Sequence, residues 1–139
     1  MLRKLILASH GKFASGIYSS LALICGKMNE IEVLDAYVEE DFSLSTRVED
    51  IMQRYKEYEL IVLTDIFGGS VNNEFLKYIN RENYYLISGL NLSLLIEIAT
   101  KIKLDLPFES VVTDAVDNSK EMIQLCNKTI KKKILEDEF

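Results

Sequence analysis

Leu60-Ile61-Val62-Leu63-Thr64-Asp65-Ile66-Phe67-Gly68-Gly69-Ser70 is the stretch on which the fold turns. Its first four residues are apolar without alternation, the pattern of a strand buried on both faces in a parallel sheet. Asp65 closes the strand, Gly68-Gly69 makes a turn, and Ser70 is placed to cap a helix carrying Val71, Phe75 and Ile79. A strand that passes through a glycine turn into a helix is the opening of a βαβ unit.

The same alternation extends in both directions. Residues 5–8 form another continuous apolar run, followed by Ser9-His10-Gly11 and a helical stripe of Phe13, Ile17, Leu21 and Ile24 that Gly26 ends. Residues 31–38 read as a second strand, and Thr46 to Glu49 has the form of a capping box for a helix facing inward with Val48, Ile51, Met52 and Tyr55. Downstream, residues 84–88 read as a fourth strand, with Tyr84 and Tyr85 in ordinary packing. Leu92, Leu95, Ile96, Ala99 and Ile102 form the next helical stripe. Pro107 breaks the chain, residues 108–113 read as a short late strand, and a last helix is expected over about 118–134. The order βαβα predicts an α/β domain, a three-layer α/β/α sandwich on a mainly parallel four-stranded sheet. No repeat, linker or low-complexity stretch divides residues 1–139, so a single domain is expected.

Composition narrows the function. With 16 Lys+Arg against 22 Asp+Glu in 139 residues the formal charge is −6, which argues against non-specific binding to nucleic acid or anionic lipid. Hydrophobic residues at 48% and charged residues at 27% fit a globular chain rather than a disordered one. No apolar run reaches the roughly 18–20 residues that span a bilayer, and His10 interrupts the short N-terminal one, so a cytoplasmic location is expected. Cys25 and Cys126 lie in helix-like apolar patterns and read as two buried free thiols; CxxC metal spacing is absent. Lys131-Lys132-Lys133 is expected on a solvated helix near its end, and Glu39-Glu40-Asp41 in a loop.

Parallel α/β sheets bind ligands at the carboxyl ends of their strands. His10, the single histidine, stands at such an end, and its imidazole can serve as base, nucleophile or ligand. A satisfied histidine in a turn is the plain alternative. If the first and third strands are neighbours, Asp65 can accept a hydrogen bond from one His10 nitrogen, fix the tautomer and free the other nitrogen to attack phosphorus. Gly68, Gly69 and Ser70, opening a helix, suit an oxyanion. One histidine, one carboxylate and an anion cradle suit a phosphoryl relay with no cofactor and no metal, since zinc requires three or four protein ligands. No nucleophile elbow, Walker A or dinucleotide fingerprint is present. Asn91, after the fourth strand, is a candidate helix cap or a site residue.

Ser9-His10-Gly11, the run Asp65 to Asn73, and Gly89-Leu90-Asn91-Leu92 together resemble the EIIA component of mannose-family sugar phosphotransferase systems, in order and spacing over nearly the whole chain. The resemblance implies that His10 receives phosphate from phospho-HPr and passes it to an EIIB component. It implies that Asp65 hydrogen-bonds the histidine, and that Gly68, Gly69 and Ser70 hold the phosphate, with Gly11 and Phe67 beside it. Indirect partners would be the membrane EIIC and EIID components, which would place the protein at the membrane periphery. The family is typically dimeric with a late strand exchanged between subunits, which would fall on residues 108–113. The sequence departs from the family at Val71-Asn72-Asn73 and Asn91-Leu92-Ser93-Leu94, where Pro-Phe-Asn and Asn-Leu-Pro-Met are common. Phe13 is expected in the core, and Phe67 on a rim for partner docking. The runner-up reading is the phosphocarrier subunit of a dihydroxyacetone kinase. A receiver domain phosphorylated on Asp65 would need an acidic pair after the first strand, where Ser9 and His10 stand. A plain ligand-binding domain would take no phosphate.

Overall fold

Leu5 and Leu7 pack into one hydrophobic cluster and Ile6 and Ala8 into another, and all four are fully buried. Successive side chains of a strand face opposite ways, so the first strand separates two cores. The computed structural model describes residues 1–137. Its elements are β1 (Arg3–His10), α1 (Phe13–Cys25), β2 (Ile31–Ala36), α2 (Leu44–Arg54), β3 (Glu59–Thr64), α3 (Ser70–Leu76), β4 (Tyr84–Ser88), α4 (Leu92–Lys101), α5 (Phe108–Lys120) and α6 (Cys126–Asp137). The four strands are parallel in the order β2-β1-β3-β4. Leu5, Leu7, Ile61 and Leu63 meet α1, α4 and α5 on one face; Ile6, Ala8, Leu60 and Val62 meet α2 and α3 on the other. This is the expected three-layer α/β/α arrangement. Each fully buried aliphatic side chain contributes about 1.5–3 kcal/mol of burial, so the sheet is fixed from both sides.

The topology places the site. From β1 the chain moves to β2 on one side and then to β3 on the other, so a crevice opens between the ends of β1 and β3. Ala8 lies beside Thr64 in the ladder, which brings His10 and Asp65 to the same rim.

Several expectations are corrected. Residues 108–113 form no strand; they are the first half of α5. Pro107 stands just before that helix, where a fixed φ is tolerated, and Phe108, Val111, Val112 and Ala115 are buried at helical spacing. The segment before it is tied down by Arg3, whose guanidinium donates to the carbonyls of Ile102 (3.3 Å), Leu104 (3.1 Å) and Leu106. The last helix expected over 118–134 is two helices: α5 ends at Lys120 and α6 begins at Cys126. Lys131, Lys132 and Lys133 therefore stand inside α6, clear of its last turn. Cys25 and Cys126 are free as expected but exposed. Helix α2 starts at Leu44 with Ser43 at its cap, three residues before Thr46, and Ile79 lies beyond α3 and half exposed. Strand β2 stops at Ala36, two residues short of the expected end, because Tyr37 turns into the left-handed region at φ 65°.

Candidate active site at the ends of β1 and β3

His10 is the last residue of β1 and Asp65 the first after β3. A single carboxylate oxygen, Asp65 Oδ2, accepts from the His10 backbone N–H at 2.8 Å and faces His10 Nδ1 at 2.8 Å. Its other oxygen, Oδ1, accepts from the Ile66 N–H at 3.0 Å. Burial pushes the Asp65 carboxyl up, but the hydrogen bonds from the His10 backbone and ring, the His10 charge and the Ile66 N–H outweigh burial and hold it below its ordinary value. An ionised carboxylate only accepts, so in the neutral ring the proton sits on Nδ1 and the lone pair on Nε2.

Nε2 faces solvent and the opening of α3. Ser70 Oγ is 3.2 Å from it, and the Tyr37 hydroxyl is 2.9 Å from the same Oγ. The expected cap at Ser70 is corrected: Gly69 occupies the cap position, and Ser70 opens α3 with its hydroxyl 3.2 Å from His10 Nε2. The Tyr37 ring lies 5.7 Å from the His10 ring between centroids. Tyr37 escaped the sequence reading because it was placed inside β2. The usable signal was an aromatic hydroxyl immediately after a strand that neighbours β1.

The turn around the ring is held tightly. A Cβ on Gly69 would lie 2.8 Å from Ile66 Cγ2 and 3.1 Å from His10 Cε1, so only glycine lets the turn approach the imidazole. Gly68 has φ 82° and its carbonyl accepts from Asn73 Nδ2 at 3.3 Å. Thr64 Oγ1 donates to Asn72 Oδ1 at 2.7 Å, a buried bond that ties α3 to the end of β3. Asn72 stands in the segment where the sequence departs from the family pattern, and its work is this fastening. On the other side, Gly11 has φ 59° and donates its N–H to Ala36 at 2.8 Å, while Ser9 Oγ accepts from the Ala14 N–H at 2.7 Å.

The remaining expectations divide. Phe67 is 80% exposed, beside the glycine turn. Phe13 is also exposed, at 47%, against the expectation of core packing: it opens α1 at the rim, and Ala14 and Leu21 make the buried face. Asn91 is the cap of α4, its Oδ1 accepting from the Leu94 N–H at 3.0 Å. Among the described residues there is no group of three or more histidine, cysteine or carboxylate side chains able to hold a metal. None of their helices is long and apolar enough to cross a membrane.

Comparison with known proteins gives a consistent picture. Residues 4–116 match the EIIA-man family model, described as the PTS system fructose IIA component. The PTS system fructose-specific EIIA component of Bacillus subtilis (strain 168) is 25% identical over 132 residues, covering 91% of this chain and 88% of that protein. The crystal structure of a Klebsiella pneumoniae protein, assigned as a phosphoenolpyruvate-dependent sugar phosphotransferase system permease, is 47% identical. It superposes with a TM-score of 0.85 over 94% of this chain and 95% of that one. Phosphotransferase system component EIIA from Streptococcus agalactiae is 25% identical with a TM-score of 0.79, over 91% and 99% of the two chains. The family model spans most of the chain, the structural likeness spans nearly all of it, and the dihydroxyacetone kinase alternative is not favoured. The chain belongs to the EIIA-man family and is a phosphocarrier component of a sugar phosphotransferase system.

Proposed function

We propose that His10 Nε2 is the phosphoacceptor, taking its phosphoryl group from phospho-HPr and passing it to an EIIB component. The observation that carries this reading is the pairing of Nδ1 with Asp65 Oδ2 at 2.8 Å, which leaves Nε2 as the free nucleophile. The Nε2 lone pair forms the N–P bond as the bond from phosphorus to the donor's ring nitrogen breaks, and that electron pair returns to the donor. The His10 ring, still protonated on Nδ1, becomes positively charged as the new bond forms. Asp65, held ionised, stabilises that charge where it develops. Gly11, Gly68, Gly69 and Ser70 surround the incoming phosphoryl group, with the Ser70 hydroxyl as a donor to its oxygens, and Phe67 stands beside them on the rim where partners dock. The transfer needs positioning and fixed dipoles rather than a covalent contribution from other side chains.

Residues 1–139 act as a single phosphocarrier domain in the cytoplasm, reaching the membrane only through EIIB and the EIIC and EIID components. The domain works as a homodimer, and sedimentation at micromolar protein giving a monomer would remove that part of the reading. The central test is labelling with phosphoenolpyruvate, enzyme I and HPr, followed by acid and base treatment. An acid-labile, base-stable phosphate that His10→Ala abolishes is expected; undiminished label in that variant would refute the assignment.

A further inference from the structure

The Tyr37 hydroxyl reaches the reactive nitrogen through Ser70, and the backbone is bent to put it there. Tyr37 has φ 65°, a region that a bulky side chain enters only when its surroundings over-determine it, and such residues gather at functional sites. Its ring has two aromatic neighbours, His10 at 5.7 Å between centroids and Phe42, edge-on at 5.4 Å. The Arg47 guanidinium lies over Phe42, 5.7 Å from its ring centre. With the proton of His10 on Nδ1, the bonds run one way only. Ser70 donates to Nε2 at 3.2 Å, so the Tyr37 O–H donates to Ser70 Oγ at 2.9 Å.

We propose that Tyr37 is a positioning residue for phosphoryl transfer, holding the Ser70 hydroxyl at His10 Nε2 as a donor for the arriving phosphoryl group. The proposal rests on His10 being the phosphoacceptor. When Nε2 spends its lone pair on phosphorus, Ser70 loses its acceptor and turns its O–H onto a phosphoryl oxygen bonded at the same place. No proton is transferred. Tyr37 continues to donate to Ser70 Oγ, which fixes the hydroxyl in position and strengthens its outward bond by polarisation.

Tyr37→Phe removes one oxygen and keeps the ring beside His10 and Phe42, so the fold is preserved. With phospho-HPr as donor, Tyr37→Phe is expected to lower the maximal transfer rate by about 3- to 10-fold, the effect of one neutral hydrogen bond, with KM for HPr unchanged. In a Ser70→Ala background the same substitution should add nothing. In the unphosphorylated protein, the 15N resonance of His10 Nε2 should move in Tyr37→Phe while Nδ1 stays. An unchanged maximal rate, a change in KM alone, losses that multiply in the Ser70→Ala background, or an unmoved Nε2 resonance would each overturn the proposal. A wild-type protein that takes no label would overturn the phosphocarrier reading and this proposal together. A labelled wild type matched in rate by Tyr37→Phe would overturn this proposal alone.

Discussion

Asp65 holds His10 twice through one oxygen: Oδ2 meets the backbone N–H and ring Nδ1 of the same residue, each at 2.8 Å. The main-chain bond fixes where the histidine begins, and the ring bond fixes how its imidazole is turned. Asp65→Asn keeps the shape and removes the charge. The transfer rate should fall on the order of 10- to 100-fold, the value of a hydrogen bond to a charged group of about 1.5–3 kcal/mol. Rapid-quench measurement of transfer from phospho-HPr checks this, and an unchanged rate would remove Asp65 from the mechanism.

The same pair leaves a mark on acid stability. The Asp65 carboxyl lies below its ordinary value in the folded protein, so the unfolded chain takes up its proton at higher pH. The stabilisation is therefore complete above about pH 3.9, the unfolded value, and disappears as pH falls through the folded one. In urea titrations, the stability gap between wild type and Asp65→Asn should close as pH falls below about 4, where the folded carboxylate takes up its proton. A gap that persists or grows below about pH 4 would mean the sign is wrong.

Gly69→Ala tests the close approach of the turn to the ring. The new methyl must displace either Ile66, whose side chain is largely exposed, or the His10 ring itself. Transfer should slow at least several-fold, with the thermal midpoint moving only slightly. Equal transfer rates would show that Ile66 yields and the ring does not.

Phe67 is exposed, so its truncation leaves the core intact. Phe67→Ala should change stability by no more than about 0.5 kcal/mol. It should raise KM for phospho-HPr or for EIIB without lowering the maximal rate, as expected of a docking contact. A lower maximal rate with KM unchanged would instead place Phe67 at the phosphoryl group.

Asn91 lies in a motif that the family resemblance makes part of the signature, yet its side chain caps α4. Asn91→Ala should cost about 1 kcal/mol of stability, the usual loss of a helix cap, and leave phosphoryl transfer untouched. A normal melting curve with impaired transfer would reverse that assignment.

The core of the fold was legible because its strands are uniform. Residues 5–8 and 60–63 have no polar position to confuse the pattern, and a sheet buried on both faces is the natural home for them. His10 and Asp65 followed from the rule for strand ends. The late segment was misread because Val111-Val112-Thr113 is β-branched, and local propensity hid the helical spacing of Phe108, Val111, Val112 and Ala115. Packing against α4 decides that segment. Ser before an apolar run normally caps a helix, so the pattern offers Ser70 both as a cap and as part of an oxyanion cradle; a shift of one residue gives the cap position to Gly69 and leaves the Ser70 hydroxyl beside His10. Tyr37 was hidden because a backbone turning at a tyrosine has no signature in composition.

The register of β1 against β3 has a consequence for how this chain can vary in length. His10 and Asp65 are 55 positions apart, and nothing but the ladder that sets Ala8 beside Thr64 brings them together. Insertions in the loop after β2 change the distance along the chain but not the distance across the sheet. A single deletion within residues 5–8 or 60–63 shifts one strand by about 3.3 Å and turns its side chains to the wrong face. The carboxylate then misses both nitrogens at once. Length variation should be common among relatives in the loops and absent between the start of either strand and its reactive end.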